Sequence, residues 1–268
     1  MTHPTAPILL LGAGRMGGAL MGGWAKTGAF RADQLILRDP NPGDAALAAQ
    51  AAGARLNPDD SVLAEANTVL VAVKPQLWRE AAAQIVAHLA PNAVIVSIAA
   101  GVACADLAAA FGGRAVARVM PTTAVAIAKG VGSIWATDPR AAKAAHALFD
   151  AVATTVDLPG EDLVDVAVGM SGSAPAYLYA FIEALEAAGE AQGLTPELSQ
   201  TLTRATLIGA AALLDHTGEE PAELRRQVTS PGGTTAAALA VLMGEQGLGP
   251  LAKAAVDAAV KRSRELGR

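Results

Sequence analysis

Aromatic residues make up only 3% of this 268-residue chain, and it contains a single cysteine. With Phe, Tyr and Trp so scarce, the core has to be built from Ala, Val, Leu and Ile, which dominate the 52% hydrophobic content. That content at this length is ample for two ordinary domains or one large one. Cys104 has no partner for an internal disulfide, which fits a reducing cytoplasm. In an Ala-rich segment it reads as a small buried hydrophobe rather than a nucleophile. Basic residues are also few: 20 Lys and Arg stand against 25 Asp and Glu, a net charge of −5. No basic face for nucleic acid is expected. The N-terminus MTHPTAP lacks the pattern of a signal peptide. The uncharged stretch 166–182 is short for a membrane span and carries Gly169, Ser171, Gly172, Ser173 and Pro175. It reads as a helix buried between subunits, and no membrane association is expected.

Acid–base and metal chemistry are equally thin. His3, His88, His146 and His216 are the only histidines, and none sits beside a motif. No His/Cys cluster has metal-ligand spacing, and no Gly-x-Ser-x-Gly elbow follows a strand. A chain with so little proton-transfer machinery is suited to hydride transfer onto a substrate that is already electrophilic.

What the sequence does have is alternation. Short apolar runs at 8–12, 34–39, 68–75, 93–101, 114–121, 131–136 and 154–158 read as strands. Helical segments at 16–26, 44–52, 76–88 and 140–152 lie between them, which predicts a parallel sheet covered on both faces. From Glu161 the pattern becomes wholly helical, with segments at 161–192, 196–215, 221–228, 234–245 and 249–266. The expected organisation is an α/β domain over 1–160, doubly wound, followed by an all-α domain over 161–268.

GAGRMG (12–17) follows the first strand and opens a helix. In a G-x-G-x-x-G turn the first glycine makes the bend, the second admits a pyrophosphate, and the third lets helix and strand pack closely. Gly12, Gly14 and Gly17 are therefore read as a dinucleotide-binding loop of a Rossmann-type domain. About twenty residues further on stand Arg38 and Asp39. An acidic side chain there favours NAD through the ribose 2′-OH, and an Arg favours NADP through the 2′-phosphate. Arg38 and NADP are preferred, with NAD left open. Lys74 is placed at the end of its strand on the cofactor side, or is a surface Lys before Pro75. The small residues Ser97 to Gly101 leave room for a flat ring. In the helical half two clusters stand out, GMSGSAPAY (169–177) and VTSPGGTT (228–235). The first marks either close helix packing or a ligand approach. The second is either a turn between helices or a set of backbone N–H groups able to hold an anion.

In order along the chain, GAGRMGGAL, VLVAVKPQ, SIAAGV, RVMPTT, GMSGSAPAYLY and VTSPGGTTAAALAVL resemble the pyrroline-5-carboxylate reductase family over nearly the whole length. The resemblance implies a Rossmann-type domain, a C-terminal helical dimerisation domain and a homodimer, often assembled into a homodecamer. It implies reduction of the cyclic imine 1-pyrroline-5-carboxylate to L-proline by NADPH, the last step of proline biosynthesis. The implied cofactor residues are Gly12, Gly14, Arg15, Met16, Gly17, Arg38, Lys74, Ala99 and Thr122. The implied substrate residues are Ser230, Gly233, Thr234 and Thr235: Ser230 and the N–H groups of Gly233 and Thr234 hold the carboxylate, and Thr235 holds the ring nitrogen. It further implies a site shared between subunits. The chain departs from the family pattern at Arg15, Thr122, Ala124 and Ala174. A β-hydroxyacid dehydrogenase shares the domain plan, but 161–200 has no lysine for its base. A non-catalytic NADP-binding sensor is the other alternative, and it has no use for a carboxylate-holding loop.

Overall fold

The structure, a computed structural model, describes residues 5–266; His3 lies outside them. Eight strands form one sheet: β1 (Ile8–Leu11), β2 (Leu35–Arg38), β3 (Arg55–Leu56), β4 (Thr68–Val71), β5 (Val94–Ser97), β6 (Val116–Pro121), β7 (Gly130–Ala136) and β8 (Ala153–Asp157). Their order is β3-β2-β1-β4-β5-β6-β7-β8. The helices packed with the sheet are α1 (Arg15–Thr27), α2 (Asp44–Ala51), α3 (Trp78–Ile85), α4 (Cys104–Ala110), α5 (Pro139–Phe149) and α6 (Asp162–Ala167). Five further helices follow: α7 (Ala174–Ala191), α8 (Pro196–Thr217), α9 (Pro221–Gln227), α10 (Thr234–Leu242) and α11 (Leu248–Leu266).

Alternation along the strands divides the core into two layers. Ile8, Leu10, Leu35, Leu37 and Leu70 face α1 and α5, while Leu9, Leu11, Ile36, Val69 and Val71 face α3 and α4. Both faces are buried, so the strands read as continuous apolar runs rather than as polar/apolar alternation. Trp24 anchors the first layer. It is fully buried, its indole N–H donates to the Leu148 carbonyl at 2.7 Å, and its ring meets Phe30 edge-on. Trp24→Phe leaves that carbonyl unpaired and opens a void, so it is expected to cost about 1–3 kcal/mol of stability. Urea denaturation at fixed protein concentration measures this cost; an unchanged midpoint would show that the bond contributes nothing.

The expected parallel sheet holds from β3 through β6 but not beyond. β7 runs antiparallel to β6, and β8 pairs parallel with β7. Residues 122–129 are too few for the crossover that parallel neighbours need, so the chain turns back directly. The expected strand 68–75 stops at Val71, which leaves Lys74 in the turn before α3. β3 and α4 were not expected. The segment expected as one helix from 161 to 192 is three pieces, with a π-helical turn at Val168–Gly172 between α6 and α7.

Two compact units result, one running up to Gly172 and joined by the segment from Ala258, the other spanning Ser173–Asp257. This differs from the division at 160/161, because α6 packs on the sheet through Val164 and Ala167 against Met120. In the second unit α7 and α8 pair: the buried Ser199 hydroxyl donates to the Glu186 carbonyl at 2.6 Å, and Arg204 Nε donates to the Glu186 carboxylate at 2.8 Å. Gly189 is required there, since a Cβ on it would lie 2.4 Å from Ser199 Oγ. Among the described residues no helix is long and apolar enough to cross a membrane.

Candidate active site

The order of strands reverses at β1 and β4, and in open α/β sheets ligands sit beyond the carboxyl ends of strands at this point. The loops that follow β1, β2, β4, β5 and β6 all leave from that one end of the sheet, because these strands are parallel. They carry Gly12 to Gly17, Asp39, Lys74, Ala99 and Thr122.

Each glycine of the first loop has its own reason. Gly12 sits at φ +90°, a conformation that other residues rarely adopt, and a Cβ on it would meet the Ala72 carbonyl at 3.0 Å. A Cβ on Gly17 would lie 2.3 Å from the Gly12 carbonyl oxygen, so the helix can approach the strand only with glycine there. Gly14 is exposed and has nothing within 4 Å of where its Cβ would be. It opens α1 with no side-chain cap and no acidic residue in the first turn. Free N–H groups and the positive end of the helix dipole therefore face open space, which suits a pyrophosphate. Arg15 is exposed at the start of the same helix, and Met16 packs partly against the core.

The carboxylate of Asp39 is used by the loop itself. Its Oδ2 accepts from the Ala13 N–H at 2.7 Å and its Oδ1 from the Asn41 N–H at 2.8 Å. Spacing alone does not reveal this role, although a carboxylate one residue past β2 is well placed for it. Arg38 forms an ion pair with Asp60, and its Nε is buried with no partner among the described residues. An orphaned guanidinium N–H beside the dinucleotide loop fits a further anion.

On the far side of the switch point, Lys74 is exposed and its carbonyl accepts from the Leu77 N–H at 2.9 Å. Ala99 is buried, and its N–H donates to Ser97 Oγ at 3.2 Å. Thr122 is buried and locks the β6–β7 turn: its N–H donates to the Val131 carbonyl, and its Oγ1 accepts from the Val131 N–H, both at 3.0 Å. The hydroxyl proton and one lone pair are left for another partner. The GMSGSAP cluster serves packing at one position, because a Cβ on Gly172 would press on Met120 Sδ at 3.0 Å.

In the second unit the chain turns tightly through Ser230-Pro231-Gly232-Gly233. The Gly233 N–H donates to the Ser230 carbonyl at 3.0 Å, with Gly232 at φ +69°. This differs from the donor role that the resemblance implies for Gly233, since its N–H is already engaged. Glycine there also leaves space for the Ser230 hydroxyl in its present rotamer, since a Cβ would lie 2.5 Å from Ser230 Oγ. Gly233 is the N-cap of α10, which has no side-chain cap. Thr234 and Thr235 form its first turn, Thr234 exposed and Thr235 half-buried. The turn thus brings the hydroxyl-bearing residues Ser230, Thr234 and Thr235 to an uncapped helix start, an arrangement suited to a carboxylate and one further hydrogen bond.

Residues 161–266 match a family model described as pyrroline-5-carboxylate reductase dimerisation. Residues 7–101 match one described as NADP oxidoreductase, coenzyme F420-dependent. A pyrroline-5-carboxylate reductase of Pseudomonas aeruginosa is 37% identical, covering 98% of this chain and 97% of its own. The solved structure of that reductase from Coxiella burnetii superposes with a TM-score of 0.89 at 29% identity, covering 98% and 99% of the two chains. The Plasmodium falciparum pyrroline carboxylate reductase, solved with NADP bound, shares the fold with a TM-score of 0.85 at 24% identity over the full length of both. Identity at this level along essentially the whole sequence covers both units and both loops, and the chain belongs to the pyrroline-5-carboxylate reductase family.

Proposed function

We infer that this protein reduces 1-pyrroline-5-carboxylate to L-proline with NADPH, the final step of proline biosynthesis. The observation that carries the reading is the SPGGTT turn, which sets Ser230 and Thr235 at the uncapped start of α10. Bound NADPH supplies the hydride. The residues that would hold it fit the group: open space at Gly14, an uncapped α1 and the orphaned Arg38 Nε. Gly12, Gly14, Arg15, Met16 and Gly17 would hold the pyrophosphate region and Arg38 the 2′-phosphate. Lys74, Ala99 and Thr122 would line the nicotinamide side.

Ser230 and the first N–H groups of α10, that of Thr234 included, hold the substrate carboxylate. Gly233 makes room for the Ser230 hydroxyl, and Thr235 orients the ring nitrogen. A cyclic imine takes its proton from solvent, so the chain needs no general acid of its own. The functional division remains 1–160 for cofactor and 161–268 for substrate and dimerisation, in a cytoplasmic homodimer able to assemble further into a decamer.

The test is oxidation of NADPH by the purified protein with racemic 1-pyrroline-5-carboxylate, run beside NADH and with proline identified as product. Cofactor binding without turnover would overturn the reading and favour the sensor. Arg38→Ala removes charge-assisted hydrogen bonds to phosphate. It is expected to raise the KM for NADPH about tenfold and leave that for NADH nearly unchanged. Equal effects on both cofactors would remove Arg38 from the 2′-phosphate.

A further inference from the structure

The charged pair buried most deeply in the first unit lies outside every residue assigned above. Arg118, on β6, is 5% exposed at its side chain. Its Nη1 donates to Glu161 Oε1 at 3.0 Å; its Nη2 lies 3.9 Å from Asp165 Oδ1 and is buried with no hydrogen bond among the described residues. The same Glu161 Oε1 accepts from the Cys104 N–H at 2.6 Å, at the first residue of α4. Asp165 Oδ1 accepts from the Ser263 hydroxyl at 2.6 Å, which ties in the end of α11.

A buried ion pair is poor evidence for stability, because desolvation offsets most of the attraction and apolar residues of similar shape often do better. What this pair specifies is therefore of more interest than what it stabilises. Arg118 is in register with Ser97, the last residue of β5. The loop Ile98–Ala103 starts beside Arg118 and ends at Cys104, whose N–H is held by the carboxylate that Arg118 itself holds. Ala100, midway along the loop, packs on Met120, Val164 and Ala167. Gly101, at φ +75°, shows how sharply the backbone bends there. Four residues beyond Arg118 the same strand delivers Thr122.

We propose that the Arg118–Glu161 pair is a positioning device: it ties the far end of the loop Ile98–Ala103 to β6, the strand that flanks the loop's start, and so sets where the nicotinamide ring lies. The inference rests on the reading that places this loop at the nicotinamide. It makes Arg118 and Glu161 positioning residues, with no contact to cofactor or substrate required of them. The anchors of the pyrophosphate and 2′-phosphate belong to other loops, so losing the pair should disturb the ring and leave the tail of the cofactor bound.

Glu161→Ala removes the acceptor shared by the Cys104 N–H and the Arg118 guanidinium. Glu161→Gln retains an oxygen that accepts from Cys104 and from Arg118, and is the rescue variant. NADPH is titrated into wild type and both variants without substrate, following tryptophan quenching for affinity and nicotinamide emission for the ring's surroundings. Kcat is then measured with 1-pyrroline-5-carboxylate at a temperature where all three are folded. Glu161→Ala is expected to bind NADPH within about threefold of wild type. Its nicotinamide emission should move toward that of free NADPH, and its kcat should fall on the order of tenfold or more. Glu161→Gln should stay near wild type in both. Wild-type emission and kcat in Glu161→Ala would overturn the proposal, as would a lower melting temperature as its only change. Because emission is read without substrate, failure of the wild type to reduce the imine would sink the proposed reaction and still leave this comparison decisive.

Discussion

Ile208→Asp is expected to leave the protein inactive and unable to form its native oligomer, although Ile208 is 71% exposed in the single chain. A substitution at so exposed a site ordinarily changes stability by about 0.5 kcal/mol or less. The expectation here comes from the whole helix. Along α8 only Ser199 and Thr203 are buried, and both are polar, while Leu198, Leu202, Ile208, Leu213 and Leu214 are exposed on several sides. The surface of α10 and its surroundings is similar, with Val241 at 76% and Met243 at 57% exposure. Exposed apolar side chains in this number on neighbouring helices have to be covered, and a patch of this extent marks an interface. In the homodimer proposed above the occupant is a second copy of this chain, in keeping with the match of 161–266 to a dimerisation model. A carboxylate buried there without a partner costs several kcal/mol for each of two symmetric positions. The comparison is Leu47→Asp on α2, an exposed leucine in the first unit, which should change little. Light scattering after size exclusion, with activity, reads the result. Wild-type mass and rate in Ile208→Asp would show that this part of α8 stays in solvent.

The sheet was largely legible in the sequence because buried parallel strands are unbroken apolar runs that end at glycine, proline or a charge. ILLL before GAGRMG leaves little choice. The reversal at β7 was missed because strand propensity carries no direction; only the shortness of 122–129 signals it. The break at Val168–Gly172 was missed for a related reason, since GMSG costs helix propensity without saying how the ladder adjusts.

In the site, spacing exposed the glycine loop, whose requirements are steric and local. It did not expose Asp39 holding Ala13, Asp60 facing Arg38, or the Val131 N–H on the Thr122 hydroxyl. Each of those is one hydrogen bond or ion pair between segments distant in sequence. The SPGGTT loop was legible as a turn before a helix, and its chemistry only through resemblance. Even then the Gly233 N–H, spent on the turn, could not be read without coordinates.

Thr235→Ala is expected to lower kcat/KM about ten- to a hundredfold, equivalent to roughly 1–3 kcal/mol of transition-state stabilisation. Thr235 lies in the first turn of α10, half-buried, and its hydroxyl makes no hydrogen bond among the described residues. Alanine suits a helix at least as well as threonine, so the substitution leaves α10 and the turn before it intact. What disappears is one hydroxyl at a fixed place. If that hydroxyl orients the ring nitrogen, the loss falls on the alignment of the imine carbon for hydride transfer, and kcat should fall more than KM rises. NADPH affinity, set by the other unit, should not move. Thr235→Ser keeps the hydroxyl and removes only a methyl, so it should recover most of the rate. Ser230→Ala gives the contrasting pattern: a carboxylate partner is lost, and the KM for 1-pyrroline-5-carboxylate rises while kcat changes less. If Thr235→Ala and Ser230→Ala behaved alike, with KM alone affected, the two hydroxyls would be doing the same work on the carboxylate. Orientation of the ring would then have to come from elsewhere in the fold.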